Sequence, residues 1–132
     1  MRIGLTSVMV SDQEKALKFY TQVLGFKKMA DLPFGKLRWL TVVSPEGAEG
    51  VELVLEPTEF AAARAYQKAL FDAGIPLTAF FSKDIHEECR RLKARGVVFR
   101  GEPKKSGPIT SVLFEDTCGN LIQLVEPSQR RG

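Results

Sequence analysis

A chain of 132 residues with 44% hydrophobic and 27% charged residues has the size and composition of one soluble globular unit. It holds no apolar run of the ~18 residues that a membrane helix requires, and Met1-Arg2-Ile3-Gly4 opens without the apolar stretch of a secretory leader. A cytoplasmic protein with no membrane partner is therefore expected. The net charge of +3 raises nucleic acid as a partner, but Arg90, Arg91, Lys93, Arg95, Lys104 and Lys105 are interleaved with Glu87, Glu88 and Glu102, and no stacking aromatics accompany them. A solvated helix face is the expected reading of that charge, with a further basic pair at Arg130 and Arg131.

Residues 3–10 are rich in β-branched side chains and predict a strand, with Leu5, Ser7 and Met9 alternating against Thr6, Val8 and Val10. Ser11 and Asp12 supply N-cap side chains for a helix over 12–24. Ala16, Tyr20 and Val23, with Leu17 and Leu24, form its apolar stripe, and Gly25 stops it. Strands follow at 26–32 and 36–43, separated by a turn at Pro33, Phe34 and Gly35. The second strand carries Trp39, the single tryptophan, beside Arg38. A loop over 44–50 leads to a strand at 51–55.

Residues 57–74 are alanine-rich and predict a helix rather than a flexible tether. The pattern then repeats: a strand at 77–82, a helix capped by Asp84 with Ile85, Cys89 and Leu92 inward, strands at 97–100 and 109–115, a turn over 116–120 and a strand at 121–125. Superposing Asp12 on Asp84 aligns Leu17 with Cys89 and Tyr20 with Leu92. Both closing strands end in Glu-Pro, at 56–57 and 126–127, and each holds one polar residue in an apolar run, Glu52 and Gln123. The chain thus divides into a first module at 1–57, a helical linker at 58–76 and a second module at 77–132. Cys89 and Cys118 are expected as reduced thiols, with Cys118 accessible in its turn.

The residues Val10-x-Asp12-x3-Ala16-x2-Phe19-Tyr20-x3-Leu24-Gly25-Phe26, with Asp84-Ile85, Leu92, Gly96-Val97 and Phe114-x-Asp116-x2-Gly119-Asn120-x-Ile122-x-Leu124, resemble the vicinal oxygen chelate superfamily. This is the group of glyoxalase I, bleomycin- and fosfomycin-resistance proteins and extradiol dioxygenases. The resemblance implies an α+β fold of two βαβββ modules around a cleft, an incomplete barrel. It also implies dimers in which modules of both chains complete the sites. Its enzymes hold a divalent metal that binds both vicinal oxygens of the substrate as a Lewis acid.

By alternation from the motif, the ligand positions fall at Leu5, Glu52, Thr78 and Gln123. Glu52 suits a metal; Gln123 is a weak carbonyl donor, Thr78 is poor and Leu5 cannot bind. One histidine, His86, cannot build a two-histidine site, and its place among Glu87 and Glu88 makes it a surface residue. Glyoxalase I and extradiol dioxygenase activities are therefore disfavoured, and no cofactor is expected, with a divalent metal left open.

The expected cleft is lined by Leu5, Ser7, Met9, Glu52, Val54, Thr78, Phe80, Gln123 and Val125, with Trp39 and Arg38 on faces that alternation leaves open. Glu52 there serves as a general base, as an anchor for a cationic or hydroxylated ligand, or as a structural partner of Gln123. The leading expectation is a metal-free homodimeric protein that binds a small molecule. The alternative is a lyase, isomerase or dioxygenase-like enzyme that uses a degenerate metal site or Glu52 as its catalytic residue.

Overall fold

The computed structural model describes residues 1–128; the basic pair Arg130 and Arg131 lies outside them. Four strands form one sheet: β1 (Leu5–Val10), β2 (Lys27–Phe34), β3 (Leu37–Val43) and β4 (Glu52–Pro57), in the order β1-β4-β3-β2. Four more form a second: β5 (Thr78–Phe81), β6 (Lys104–Ser106), β7 (Ile109–Glu115) and β8 (Leu121–Pro127), in the order β5-β8-β7-β6. The two sheets repeat one topology, with a parallel first pair and antiparallel pairs after it. The α+β architecture of two open sheets agrees with the sequence.

Each parallel pair needs a crossover helix. In the first module this is α1 (Gln13–Lys18), whose cap Asp12 accepts a hydrogen bond from the Lys15 N–H at 3.0 Å. The regular helix expected over 12–24 ends early. Residues Phe19–Val23 form a π-helical turn, in which the Leu24 N–H donates to the Phe19 carbonyl. The wider turn accommodates burial of two adjacent aromatics, Phe19 and Tyr20. In the second module the crossover is α3 (Ile85–Ala94), capped by Asp84. Its end is a Schellman motif, with Gly96 at φ +90° and the Val97 N–H bonded to the Leu92 carbonyl.

Two strand boundaries differ from the sequence reading. β2 runs on through Pro33, which pairs with Arg38; β2 is an edge strand, so a missing N–H costs no ladder bond there. Of residues 97–100, Phe99 forms only an isolated bridge to Phe114. The strand beside β7 is instead Lys104–Ser106, after Gly101 at φ +101° and Pro103 interrupt the pairing.

The core lies on the helix-bearing faces of both sheets. Val8, Val10, Leu40, Val42 and Leu55 of the first sheet meet Ile122, Leu124, Val112 and Phe114 of the second, through Tyr20, Ile85 and Leu92. The linker is helix α2 (Ala61–Asp72), and its buried residue is polar, Gln67. Among the described residues no helix is long and apolar enough to cross a membrane.

Candidate functional site

The motif residues of the 116–120 turn form a buried latch rather than a site. One Asp116 carboxyl oxygen accepts from the Cys118 and Asn120 N–H groups at 2.8 and 3.0 Å. The other accepts from the Tyr20 hydroxyl at 2.6 Å and the Asn120 amide at 2.7 Å. Asn120 also donates to the Met9 carbonyl, and Gln67 donates to the carbonyls of Met9 and Cys118 and to Asn120 Oδ1. β1, the π-turn, α2 and the turn before β8 are thereby tied at one point. Cys118 is fully buried here, not accessible as the sequence suggested, and burial followed by the nearby Asp116 pushes its thiol up to about 11.

The first sheet turns a different set of residues away from α1. In-register partners share a face. Leu5 pairs with Glu52 and Ser7 with Val54, and Thr41 pairs with Val54 from the other side. Alternation then puts Met9, Glu52, Thr41 and Trp39 on this helix-free face, with Leu32 and Phe34 beside them on β2. Thr41 is fully buried and its hydroxyl donates to the Glu52 carboxyl at 2.7 Å. The partner of Glu52 is thus Thr41, not Gln123. Around this pair Leu5, Leu32, Phe34 and Trp39 remain exposed, at 50%, 58%, 68% and 37%. Trp39 therefore shares the face of Glu52.

Arg38 does not. It points to the helix side, where its guanidinium pairs with Asp31 at 2.7 Å and Glu14 at 2.8 Å. Its hydrogen bonds to Asp31 and Glu14 hold the Arg38 pKa up, and the same contact holds the Asp31 carboxyl below its usual value. A cation committed twice on the opposite face is not the ligand group that the sequence left open.

The second sheet corrects the expected lining by one residue. Ala79, not Thr78, pairs with Gln123, and Phe81 pairs with Val125. Thr78 and Phe80 turn instead with Ile122 and Leu124 to the side of α3. There Phe80 stacks edge-on against Phe26 at 5.2 Å and Tyr20 at 6.3 Å. The physical reason is that β5 has four residues and apolar side chains on both faces, so alternation lacks an anchor until β8 supplies the register. Phe80 also lines a cleft of about 850 Å³ with Phe26, Lys83, Arg91 and Glu126.

Gln123 opens onto a smaller depression of about 400 Å³, lined also by Arg100, Glu102, Lys104, Ser111 and Leu113. Neither of these two clefts includes Leu5 or Glu52. His86 is exposed on α3, as expected. On the same helix Arg90 pairs with Glu87, Arg91 with Glu88, and Lys93 with Glu102.

The corrected equivalents of the metal positions are Leu5, Glu52, Ala79 and Gln123. One carboxylate, one amide and two hydrocarbon side chains do not fit a divalent transition metal. Among the described residues no three His, Cys, Asp or Glu side chains are grouped to hold an ion. Residues that the sequence reading missed are Thr41, Ala79, Lys104 and Arg100. Thr41 had a signal, since it is the one polar residue in the run Trp39-Leu40-Thr41-Val42-Val43. The others depend on pairing register, which sequence spacing does not carry.

Comparison with known proteins places these observations. The Bacillus subtilis (strain 168) protein YurT is 53% identical over 126 residues, 96% of this chain and 99% of that one. The crystal structure of TnmS3, an antibiotic-binding protein from Streptomyces sp. CB03234, superposes with a TM-score of 0.76 at 34% identity, covering 97% of each chain. A lactoylglutathione lyase of Salmonella typhimurium (strain LT2) is 27% identical over 128 residues, 96% of this chain and 93% of its own. The family model for the Glyoxalase/Bleomycin resistance protein/Dioxygenase superfamily matches residues 2–124. With its two repeated sheets and the buried Asp116–Asn120 latch, the chain belongs to that superfamily.

Proposed function

We propose that this protein binds a small molecule without a metal, on the helix-free face of the first sheet. The observation that carries the reading is the Thr41–Glu52 hydrogen bond set among the exposed Leu5, Leu32, Phe34 and Trp39. An apolar surface around one placed polar pair has the character of a ligand site, and exposed apolar patches of this kind mark interaction surfaces. The face is open in one chain, so a second copy closes it with the face that carries Gln123, Ala79 and Phe81. Leu5, Ser7, Met9, Trp39, Glu52 and Gln123 then line one cleft. Similarity to an antibiotic-binding protein at 34% identity supports this class of ligand-holding function.

The test is a fluorescence titration of Trp39 with a panel of apolar and aromatic small molecules, joined to elemental analysis of the purified protein. Saturable quenching with no stoichiometric metal is expected. A metal bound one per chain and lost in Glu52→Gln would overturn the reading. The enzymatic alternative rests on the carboxyl of Glu52, half-buried and hydrogen-bonded only by Thr41 among the described residues. It requires turnover of a substrate that Glu52→Gln abolishes while folding stays intact.

A further inference from the structure

The depression over Gln123 has a chemistry of its own. Lys104 pairs with Ser111 across the β6–β7 ladder, and Leu113 pairs with Gln123 across β7–β8. Alternation along β7 puts Ser111 and Leu113 on one face, so Lys104, Ser111 and Gln123 project to the same side, and all three line the depression of about 400 Å³. Arg100 joins them from the preceding segment.

The charges there are unequally committed. Glu102 is held by Lys93 at 3.4 Å. Arg100 donates its Nε to Glu115 at 2.9 Å and lies over the Phe71 ring at 5.4 Å. These contacts hold the guanidinium, and its four Nη hydrogens have no hydrogen-bond partner among the described residues. Lys104 has no ion-pair partner among the described residues, and neither the Ser111 hydroxyl nor the Gln123 amide has a side-chain hydrogen bond there. One ammonium without an ion pair, a held guanidinium, a hydroxyl and an amide line a space whose other walls are the hydrocarbon of Pro76, Val112 and Leu113 and the Glu102 carboxylate already held by Lys93. Donors prevail over acceptors in this set.

We infer that this depression is an oxyanion site, and that the ligand of the proposed function carries a carboxylate or phosphate that docks between Lys104, Arg100, Ser111 and Gln123. The inference rests on that function and names its ligand class: an apolar body with one anionic group. It accounts for the net charge of +3, which disfavours a cationic ligand. Charge-assisted hydrogen bonds from Lys and Arg are stronger than neutral ones. The anion therefore adds to affinity where the apolar body alone binds weakly.

The experiment compares 2-naphthoate, 2-naphthyl phosphate and the neutral methyl 2-naphthoate by calorimetry, with amide chemical shifts mapped in the full chain. Both anions are expected to bind about tenfold tighter than the ester at low ionic strength and to lose that advantage as salt rises. They should shift the amides of Lys104, Ser111 and Gln123. Lys104→Glu should remove the advantage of the anions over the ester; Ser111→Ala, a smaller change at the same place, should reduce it. The relative strength of carboxylate and phosphate identifies which oxyanion the site prefers. Equal affinity for acid and ester, or full anion affinity in Lys104→Glu, overturns the anion site. In that case Trp39 quenching by the ester leaves the small-molecule reading standing. Absence of binding by all three overturns the inference directly, whereas the wider reading is decided separately by the Trp39 panel.

Discussion

Tyr20 shows how one side chain joins stability to the architecture. Its hydroxyl is fully buried and donates to Asp116 at 2.6 Å. Burial first, and then the charge of Asp116, pushes its pKa well above the usual 10.0. The folded chain thus keeps a proton that the unfolded chain releases above pH 10, so this stabilisation is intact below that pH and is lost as pH rises through it. Tyr20→Phe should cost about 1–3 kcal/mol at neutral pH, because Asp116 loses a buried partner. The gap from wild type should narrow in urea unfolding above pH 10; an equal gap at both pH values would contradict the account. Cys118 tests burial at the same spot. A thiol raised to about 11 and shut from solvent should resist Ellman's reagent at mildly alkaline pH until the protein is denatured.

At the scale of elements, caps and turns set where each segment begins and ends. Asp84 caps α3 by accepting from the Glu87 N–H at 3.2 Å. Asp84→Ala should destabilise the protein by about 1 kcal/mol, read as a lower midpoint in thermal unfolding. Gly119 is more constrained. Its φ is +100°, and a Cβ there would sit 2.8–2.9 Å from the Gln67 side chain. Gly119→Ala should cost about 1–3 kcal/mol from the backbone conformation, with more from the contact. Gly119→Ala combined with Gln67→Ala should show that the two costs are coupled, since removing Gln67 relieves the contact but not the φ. Additive costs in that cycle would show that Gln67 is not the obstruction.

At the scale of the molecule, the two sheets have equivalent topology and unequal open faces. The first exposes Leu32, Phe34 and Trp39 around Glu52; the second exposes Phe81 and carries Lys104, Arg100 and Gln123 around its depression. A second copy that matches one face to the other buries the apolar residues of both. Phe34→Lys, a surface change, should lower the dimer fraction in sedimentation velocity while leaving the circular dichroism spectrum unchanged. A wild-type chain that sediments as a monomer at every concentration would remove the second copy from the proposed site.

The repeated pattern of caps, glycine stops and strands determined most of the order of elements in both halves, because those signals are local and each acts within a few residues of its element, while the α+β fold of two modules followed from the family resemblance. Asp12, Asp84 and Gly25 are read correctly for that reason. Glu52 stood out as one polar residue in an apolar strand, and its neighbours Leu5 and Met9 followed from alternation. Only the tertiary structure decided that Trp39 joins them and that Arg38 does not. Only the β5–β8 pairing replaced Thr78 and Phe80 with Ala79 and Phe81. Alternation gives two faces but not which one turns to the helix, and a one-residue slip exchanges them. Register is a relation between strands far apart in the chain, so the two halves of the site become visible only once those strands are paired.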